Sequence, residues 1–433
     1  MAEQENIPPT MPALLLHHPS TASPSLTYTP THPTPTPSPS QYLLKVLTTT
    51  LTPSDLHPAP LQPPKPIPGT SLSGIILSTP SIDEHTPTGP KFKVGDEVIG
   101  LLSLSTPTQT PTQTQTPTPP RRAGACADVT VALETELAFK PRSVGSGASV
   151  GVVRGGLGGW QVLFGQRRDD SSGDTEGEGE GEGFFEGAGL SGVVEYSSEE
   201  DEVVNMEVER ERRERNGRVG RVVLFEKGGG KESGRGVGNG VAGMVGQLIR
   251  ARSLFGEGAG GEGRVWVCFC VLGGGGVDEG FFKGELGVDE VVDYSSVGGG
   301  GRGLAGIFRQ RDWPPVDLVV DCVGGEMLRG AYDPAIVRDG GMVFSNVQPI
   351  PERDGMWAGV RESIQKRNLM SRFFTVRPDG EQLEKIAMLL DKGEIRAFEE
   401  REMQFDEGRE IVELLESRRG RGEVVVRVNY DGQ

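Results

Sequence analysis

Five patterns in the last third of the chain follow one another in a fixed order, and they constrain the fold more than any other feature. Three of them are short apolar runs, rich in β-branched residues and ended by Gly or Asp, as buried parallel strands commonly are. One such run would mean little, but the ordered series predicts an α/β fold with a doubly wound parallel sheet. The patterns occupy residues 286–294, 316–325, 337–345, 373–380 and 421–428.

The length and charge of the chain set further limits. A chain of 433 residues is long enough for two domains with separate cores. The net charge of −17 argues against a nucleic-acid partner, because phosphate neutralisation needs clustered Lys and Arg. No apolar run approaches the roughly 18 residues that span a membrane, and the N-terminal segment lacks the features of a secretory or mitochondrial presequence. We therefore expect a cytoplasmic protein without a membrane partner.

Four cysteines occur without the spacing of a disulfide framework or of metal ligands. Cys268 and Cys270 are separated by one residue in a strand-like run, so both side chains should point to the same face. In a reducing compartment we expect these two, together with Cys126 and Cys322, to be free thiols.

The first third of the chain predicts a small β-rich domain interrupted by low-complexity tracts. Thr52 before Pro53, with Asp55 following, indicates a helix start. The tracts at 19–40 and 106–120 are rich in Pro and Thr and are expected to be extended and solvated. Short strands are predicted at 11–16, 42–47 and 74–77, and a turn that leads into a strand is predicted at 92–100.

A charged, glycine-rich segment at about 167–217 separates the two halves. It contains an alternating Gly-Glu run and a dense cluster of Glu and Arg, and it has too little apolar area to offset the entropy of ordering. We interpret it as a disordered surface insertion. Further glycine tracts at 228–230, 256–263, 273–276 and 298–301 are interpreted as loop expansions.

Motifs in both halves resemble a known family in collinear order. The pattern F-K-x-G-D-x-V-x-G stands at 92–100, G-x-x-A-E-Y stands at 124–129 with two substitutions, and T-A-W-Q-A-L-F corresponds to 158–164. With the C-terminal series, these resemble the zinc-independent quinone oxidoreductase branch of the medium-chain dehydrogenases/reductases. The resemblance implies a GroES-like β-barrel substrate domain over 11–150, completed by 394–433. A Rossmann-type cofactor domain would occupy 151–393, and a homodimer is implied.

The candidate phosphate loop is a glycine series that follows the predicted strand 222–225. A helix is expected from Gln247 onward. Glycines at this spacing let the backbone approach a pyrophosphate at the N-terminus of a helix. The series begins about fifteen residues after the strand, so it is either a phosphate loop that carries an insertion or a chance repeat in a glycine-rich region. The candidate cofactor-binding residues are Gly240, Gly243, Val245 and Gly246.

The second strand of this domain, predicted at 265–270, points to the cofactor. An NAD site usually has an acidic residue at the end of this strand, and here Val271 and Leu272 follow. The missing acid favours NADPH, and the resemblance matches Lys283 and Tyr294 to residues near its 2′-phosphate. Tyr294 is alternatively a plain aromatic residue at the end of a strand. The nicotinamide half of the groove is expected at Val323, Gly324 and Asn346.

No zinc site is expected. The stretch 69–74, where zinc-dependent relatives carry a His ligand, contains no His. The resemblance places Thr52 and His57 at polar catalytic positions, and His57 could donate a proton near neutral pH. Thr52 is alternatively a helix cap, and His57 a loop residue without a role.

We therefore expect an NADPH-dependent oxidoreductase that transfers hydride without metal to a small quinone, enone or activated carbonyl. Two departures from the family favour an alternative. Glycines replace the Ala and Thr of the pattern P-x-A-x-x-T-A at 153–159, and Glu423 replaces the Lys of R-G-K. The alternative is a catalytically decayed member of the same fold that binds a nucleotide or a partner. A folded protein that neither NADPH nor NADH stabilises would contradict the enzyme interpretation.

Overall fold

The structure is a computed structural model of the whole chain, and parts of both halves are described. Three of the predicted features, namely His57, the tract at 106–120 and the insertion at 167–217, lie outside the described residues. The described residues are 7–17, 23–56, 67–81, 89–103, 123–166, 220–227, 234–255, 265–272, 277–294, 301–398, 401–416 and 423–429.

The chain divides into two compact units. The first unit comprises Met1–Arg154, Arg377–Asp391 and Ala397–Gln433, and the second comprises Gly155–Val376 and Lys392–Arg396. The chain first passes from one unit to the other between Arg154 and Gly155, four residues after the boundary expected at 150/151. The segment Arg377–Asp391 belongs to the first unit, whereas the sequence predicts it in the cofactor domain.

The described residues form fifteen strands in three sheets. They are β1 (Thr10–His17), β2 (Ser25–Pro33), β3 (Gln41–Leu51), β4 (Ser71–Ser78), β5 (Glu97–Leu101), β6 (Val129–Leu133), β7 (Leu137–Phe139), β8 (Arg221–Lys227), β9 (Trp266–Leu272), β10 (Glu290–Asp293), β11 (Val316–Asp321), β12 (Val337–Ser345), β13 (Met370–Phe373), β14 (Glu402–Gln404) and β15 (Val424–Arg427).

Twelve α-helices lie in the same described residues. They are α1 (Pro53–Leu56), α2 (Ser146–Gly151), α3 (Val153–Phe164), α4 (Gly234–Asn239), α5 (Val241–Arg250), α6 (Arg252–Phe255), α7 (Glu279–Gly284), α8 (Gly301–Gln310), α9 (Gly325–Ala331), α10 (Ala358–Arg367), α11 (Gly380–Asp391) and α12 (Gly408–Glu416).

The second unit is built on a six-stranded sheet whose strand pairs are all parallel. The strand order is β10-β9-β8-β11-β12-β13. Counted from β8, this is the order 3-2-1-4-5-6 of the doubly wound fold. The predicted α/β fold class is confirmed. The strands form because their β-branched and aromatic side chains are buried, as in β8, where Val222 through Phe225 are all fully buried.

The first unit contains a seven-stranded sheet and a separate hairpin. The strand order is β14-β15-β3-β4-β5-β7, with β6 also paired to β3. Its pairs are antiparallel except for β14 with β15. The strands predicted at 11–16, 42–47 and 74–77 correspond to β1, β3 and β4, and the turn predicted at 92–100 leads into β5.

Strand β2 corrects the expectation that 19–40 is extended and solvated throughout. Residues Ser25–Pro33 pair in antiparallel register with β1. Composition misled here, because Leu26 is buried and the ring of Tyr28 packs edge-on against Phe405, 5.7 Å between centroids. The prolines are tolerated because β2 pairs on one side only, among the described strands.

Helix α11 belongs to the first unit. Its apolar face is buried through Leu383, Ile386, Leu389 and Leu390, and it packs on β7 of the same unit. The contact is close, because a Cβ on Gly380 would lie 2.4 Å from the carbonyl oxygen of Leu137. An amphipathic pattern predicts a buried face but does not identify its partner.

Candidate functional site

The order of the parallel sheet marks a candidate ligand site in the second unit. The order reverses between β8 and β11, which are hydrogen-bonded neighbours. In open parallel sheets, ligands bind at the carboxyl ends of the strands beside such a reversal. Here these ends carry Glu226 on one side and Asp321 and Cys322 on the other.

The glycine series lies differently from the prediction. Helix α5 already begins at Val241, with Gly240 as its N-cap, so the expected helix start at Gln247 is wrong. Helix α4 and six undescribed residues separate β8 from Gly240. Gly240 nevertheless returns to the end of β8, because a Cβ on it would lie 3.4 Å from Oε2 of Glu226. The N-terminus of α5 therefore faces the reversal of the sheet.

The other residues of the series lie inside α5, and all are buried. A Cβ on Gly243 would lie 2.1 Å from the carbonyl oxygen of Val237, so only glycine allows this close approach. Gly246 faces Leu224 of β8, and Val245 is fully buried. These three residues fix the helix against the sheet and the preceding turn. Of the series, Gly240 is the residue at the helix N-terminus.

The turn after β11 is organised by one buried carboxylate. Asp321 accepts hydrogen bonds from the backbone N–H of Val323 at 3.1 Å and of Gly324 at 3.0 Å. Ser345, at the end of β12, donates to the same carboxylate at 2.8 Å, and the N–H of Asn346 donates to the Asp321 carbonyl at 3.2 Å. The structure thus brings the predicted residues Val323, Gly324 and Asn346 together at the carboxyl ends of neighbouring strands.

Two predicted cofactor residues carry buried oxygens without a hydrogen-bond partner among the described residues, namely Tyr294 Oη and Asn346 Oδ1. Tyr294 is 5% exposed. Burial raises the pKa of Tyr294, and Cys270 and Glu226 raise it further, so the phenol keeps its proton and faces the negative groups of the reversal. A buried hydroxyl without a partner is costly unless a ligand satisfies it.

Lys283 forms its ion pair within its own helix and not with these oxygens. It is exposed on α7, and its ammonium lies 3.5 Å from Glu279 one turn earlier. The structure therefore shows Lys283 in a surface ion pair.

Thr52 directly precedes α1, and its hydroxyl and its N–H are both engaged by Asp55 in that helix. Its hydroxyl donates to Oδ2 of Asp55 at 2.7 Å, and its N–H donates to the same oxygen at 2.8 Å. The carboxylate of Asp55 is near enough to raise the pKa of Glu423. Thr52 thus borders a polar cluster of the first unit.

That cluster, here called the Arg154 cluster, consists of Thr50, Asp55, Thr70, Arg154 and Glu423. Arg154 donates from Nη2 to the hydroxyl of Thr70 at 2.5 Å, and its Nε lies 3.5 Å from Oε1 of Glu423. Burial raises the pKa of Glu423, while Arg154 and Thr50 act to lower it. The Glu that departs from the family pattern thus has a cationic partner. This pair could not be predicted from the sequence, because its members are distant in the chain.

The glycines at 153–159 also have a structural reason. A Cβ on Gly155 would lie 1.7 Å from the carbonyl oxygen of Asn239, directly before Gly240. Gly158 and Gly159 likewise face α5, with Cβ positions 2.6 Å and 3.1 Å from its side chains. The two helices therefore approach closely enough to exclude the Ala and Thr of the family pattern. Glycine here supports the segment that carries the α5 N-terminus.

Within the described ranges, none of the helices combines the length and the apolar character that crossing a bilayer requires. The free thiols expected at all four cysteines are confirmed, and Cys268 and Cys270 share a face with their sulfurs 4.0 Å apart.

Comparisons with known proteins agree with this architecture. The family model described as zinc-binding dehydrogenase matches residues 286–426. A zinc-binding oxidoreductase of Arthroderma benhamiae, named as mitochondrial, is 26% identical over 363 residues, covering 84% of this chain and 80% of its own. A trans-enoyl reductase of Penicillium oxalicum is 24% identical over 161 residues, which are 34% of this chain and 40% of the relative. Because the first relative is named as mitochondrial, the expected cytoplasmic location stays a prediction.

Solved structures show the same fold. The quinone oxidoreductase of Coxiella burnetii has a TM-score of 0.58 at 18% identity, covering 97% of this chain and 99% of its own. A crotonyl-CoA carboxylase/reductase solved with NADP has a TM-score of 0.62 at 16% identity, covering 98% and 96%. A mycobacterial protein solved with NADPH has a TM-score of 0.61 at 15% identity, covering 97% and 100%. Over residues 286–426 this chain is thus similar to the zinc-binding dehydrogenase family, and its fold is the one seen in the quinone oxidoreductase and the other solved structures named here.

Proposed function

We propose that this protein is an NADPH-dependent reductase that transfers hydride to a quinone, an enone or a similar activated carbonyl, without zinc. The observation that carries the proposal is a pair of buried oxygens, Tyr294 Oη and Asn346 Oδ1, that find no hydrogen-bond partner in the described part of the chain. They stand beyond the ends of β10 and β12, on either side of the α5 N-terminus. A ligand that extends along the carboxyl edge of the sheet would satisfy both.

The described residues fit a dinucleotide. The N–H groups that follow Gly240 would hold its pyrophosphate. Tyr294 would donate to its adenosine half, and Val323, Gly324 and Asn346 would border its nicotinamide half. When bound, NADPH supplies a hydride ion. The chain's own residues orient the two halves and exclude water from the ring, which hydride transfer requires.

The choice of NADPH over NADH is supported by β9. This strand ends at Leu272, and no acidic residue stands within it to bind the hydroxyls of an unphosphorylated ribose. The relatives solved with NADP and NADPH are consistent with this choice. The acceptor class is supported by two relatives that are named as quinone oxidoreductase and as trans-enoyl reductase.

The described residues do not fit a zinc ion, although the matched family is described as zinc-binding. Among them, no group of three or more His, Cys, Asp or Glu side chains lies close enough together to hold a metal. Thr70 stands in the stretch where zinc-dependent relatives carry a His ligand, and its hydroxyl contacts the guanidinium of Arg154. A fixed cation beside Thr70 opposes the binding of a second cation there.

Titration of the full chain with NADPH and with NADH, followed by thermal unfolding, tests the proposal. We expect NADPH to raise the unfolding temperature at concentrations at least ten times lower than NADH. NADPH consumption with 1,2-naphthoquinone or trans-3-nonen-2-one then tests the acceptor. A folded protein that neither nucleotide stabilises would overturn the proposal.

One observation favours a second candidate, a decayed member that binds nucleotide without turnover. The carboxylate of Glu226 lies beside Gly240, at the N-terminus of α5. Its negative charge opposes the attraction of that positive helix end for a pyrophosphate. The two candidates differ in one result. Stabilisation by NADPH, with no oxidation of NADPH by any quinone or enone, would favour the decayed member.

A further inference from the structure

The Pro- and Thr-rich tract at 19–40 plays no part in the proposed function, and it repeats one dipeptide. Five hydroxyl residues in it are followed directly by Pro, namely Ser23, Thr29, Thr34, Thr36 and Ser38. A hydroxyl residue before Pro is the sequence that proline-directed protein kinases recognise. Since the five positions share this sequence, only their exposure and their hydrogen bonding can separate them.

Two of the five dipeptides are held by the hairpin of β1 and β2. Thr29 lies inside β2, where it pairs with Ala13 of β1. Ser23 is exposed just before β2, but the Pro24 that follows it is buried. A kinase would have to open the hairpin to bind either dipeptide, and the free energy of such an opening lowers the rate of modification.

Two more dipeptides are held by hydrogen bonds at the ends of the connection between β2 and β3. The hydroxyl of Thr34 donates to the carbonyl of Pro8 at 2.7 Å, so it is not free to react. Ser38 begins a turn, in which its N–H donates to Oε1 of Gln41 at 2.9 Å and its carbonyl accepts from the N–H of Gln41 at 3.0 Å. Because protein kinases bind their substrates as extended segments, this turn opposes the modification of Ser38.

Thr36 differs from the other four positions. It is exposed, and neither its backbone N–H nor its hydroxyl has a hydrogen-bond partner among the described residues. It stands between Pro35 and Pro37, and a residue that precedes Pro is biased towards extended backbone. Thr36 therefore presents a free hydroxyl on an exposed, extended segment whose ends are fixed at Thr34 and Ser38.

The charge of the surrounding sequence gives such a modification a large effect. Charged residues make up 24% of the whole chain, yet residues 6–44 contain no Asp, Glu, Lys or Arg. A phosphoryl group carries a charge of about −1.5 to −2 at pH 7. One phosphorylation would give this stretch its first formal charge, and no carboxylate within the stretch would repel it.

We propose that Thr36 is the phosphorylation site of a proline-directed protein kinase. The γ-phosphoryl group of ATP is transferred to Oγ1 of Thr36. A bond forms between this oxygen and the phosphorus, the bond from the phosphorus to the β,γ-bridging oxygen breaks, and ADP leaves. The hydroxyl proton passes to the catalytic Asp of the kinase. The proposal does not depend on the proposed function.

The test compares the full-length protein with a synthetic peptide of residues 19–40. Each is incubated with a mitogen-activated protein kinase and ATP, and the modified positions are mapped by mass spectrometry. The peptide presents all five dipeptides without the fold, so we expect it to be modified at several of them. In the protein, Thr36 should be modified at least about ten times faster than the other four, because those four must first open locally.

Two variants and a control complete the test. Thr36→Ala should remove most of the incorporated phosphate, and Pro37→Ala should remove a similar share because it leaves Thr36 without its Pro. The matched control is Thr31→Ala, since Thr31 is an exposed residue of β2 that is followed by His32, and its phosphate uptake should equal that of the wild type. Equal rates at the five dipeptides of the folded protein, or a folded protein that is not modified at Thr36, would overturn the proposal.

Discussion

Ser345 donates a hydrogen bond of 2.8 Å from its hydroxyl to Oδ2 of Asp321, and this bond joins the ends of two neighbouring parallel strands. The same carboxylate accepts from the backbone of Val323 and Gly324. One buried side chain therefore sets the shape of the turn that would border the nicotinamide ring.

Asp321→Ala should lower the free energy of unfolding by about 2–4 kcal/mol, because it leaves buried N–H groups without an acceptor. Ser345→Ala removes one of these hydrogen bonds and should cost about 1 kcal/mol. Urea denaturation measures both, and a nucleotide titration should show weaker NADPH binding for Asp321→Ala. Equal losses for the two variants would contradict the organising role of Asp321.

Tyr294→Phe should separate binding from stability. Its hydroxyl has no partner among the described residues, so its removal should leave the free energy of unfolding unchanged or slightly higher. NADPH affinity should fall about tenfold, equal to roughly 1.4 kcal/mol.

Tyr332→Phe is the control for this prediction. Tyr332 is also buried, but its hydroxyl pairs with Ser371 at 2.6 Å. Its loss should destabilise the fold by about 1 kcal/mol without changing NADPH affinity. If Tyr294→Phe destabilised the fold and bound NADPH normally, Tyr294 would be a packing residue, as the sequence also allowed.

Glu226→Gln should strengthen NADPH binding. Its carboxylate lies beside Gly240 at the N-terminus of α5, where it competes with a pyrophosphate for the positive helix end. We expect a gain of about fivefold, or roughly 1 kcal/mol, that shrinks as salt is added. Glu290→Gln, on the surface beside Arg311, removes the same net charge and should have no effect. Weaker binding by Glu226→Gln would instead mean that the carboxylate contacts the nucleotide.

Gly155→Ala should destabilise the second unit by about 2 kcal/mol or more, because its Cβ has no space beside the Asn239 carbonyl. Gly359, the second residue of the exposed helix α10, has nothing within 4 Å of its Cβ position. Gly359→Ala should therefore stabilise the protein by about 0.5–1 kcal/mol through helix propensity. Thermal unfolding of both variants checks the opposite signs. Equal effects would show that α3 and α5 can move apart.

The parallel sheet could be predicted from the sequence because its strands are buried on both faces and therefore consist of apolar, β-branched runs. The residues beyond their ends, including Tyr294 and Asn346, could be located with them. It could not be predicted that their oxygens have no hydrogen-bond partner among the described residues, because hydrogen bonding depends on how the side chains pack. The start of helix α5 at Val241 could not be predicted, because glycine favours loops in isolation, whereas here it permits close helix packing.

The Arg154 cluster shows a different limit of the sequence. Glu423 is a departure from the family, and by itself it indicated a loss of function. Its meaning depends on Arg154, which lies far away in the chain and contacts it only through the fold. A charge change can therefore be interpreted only together with the charges that surround it.

The atoms that crowd Gly155 of α3 are all backbone atoms, of Asn239 and Gly240. Such a position has almost no freedom to vary, because every available mutation enlarges the residue and no crowding side chain can shrink to compensate. The usual compensating substitutions of a protein core are thus absent at this contact. In a chain with many low-complexity segments, Gly155 should be among the slowest positions to change in closely related sequences.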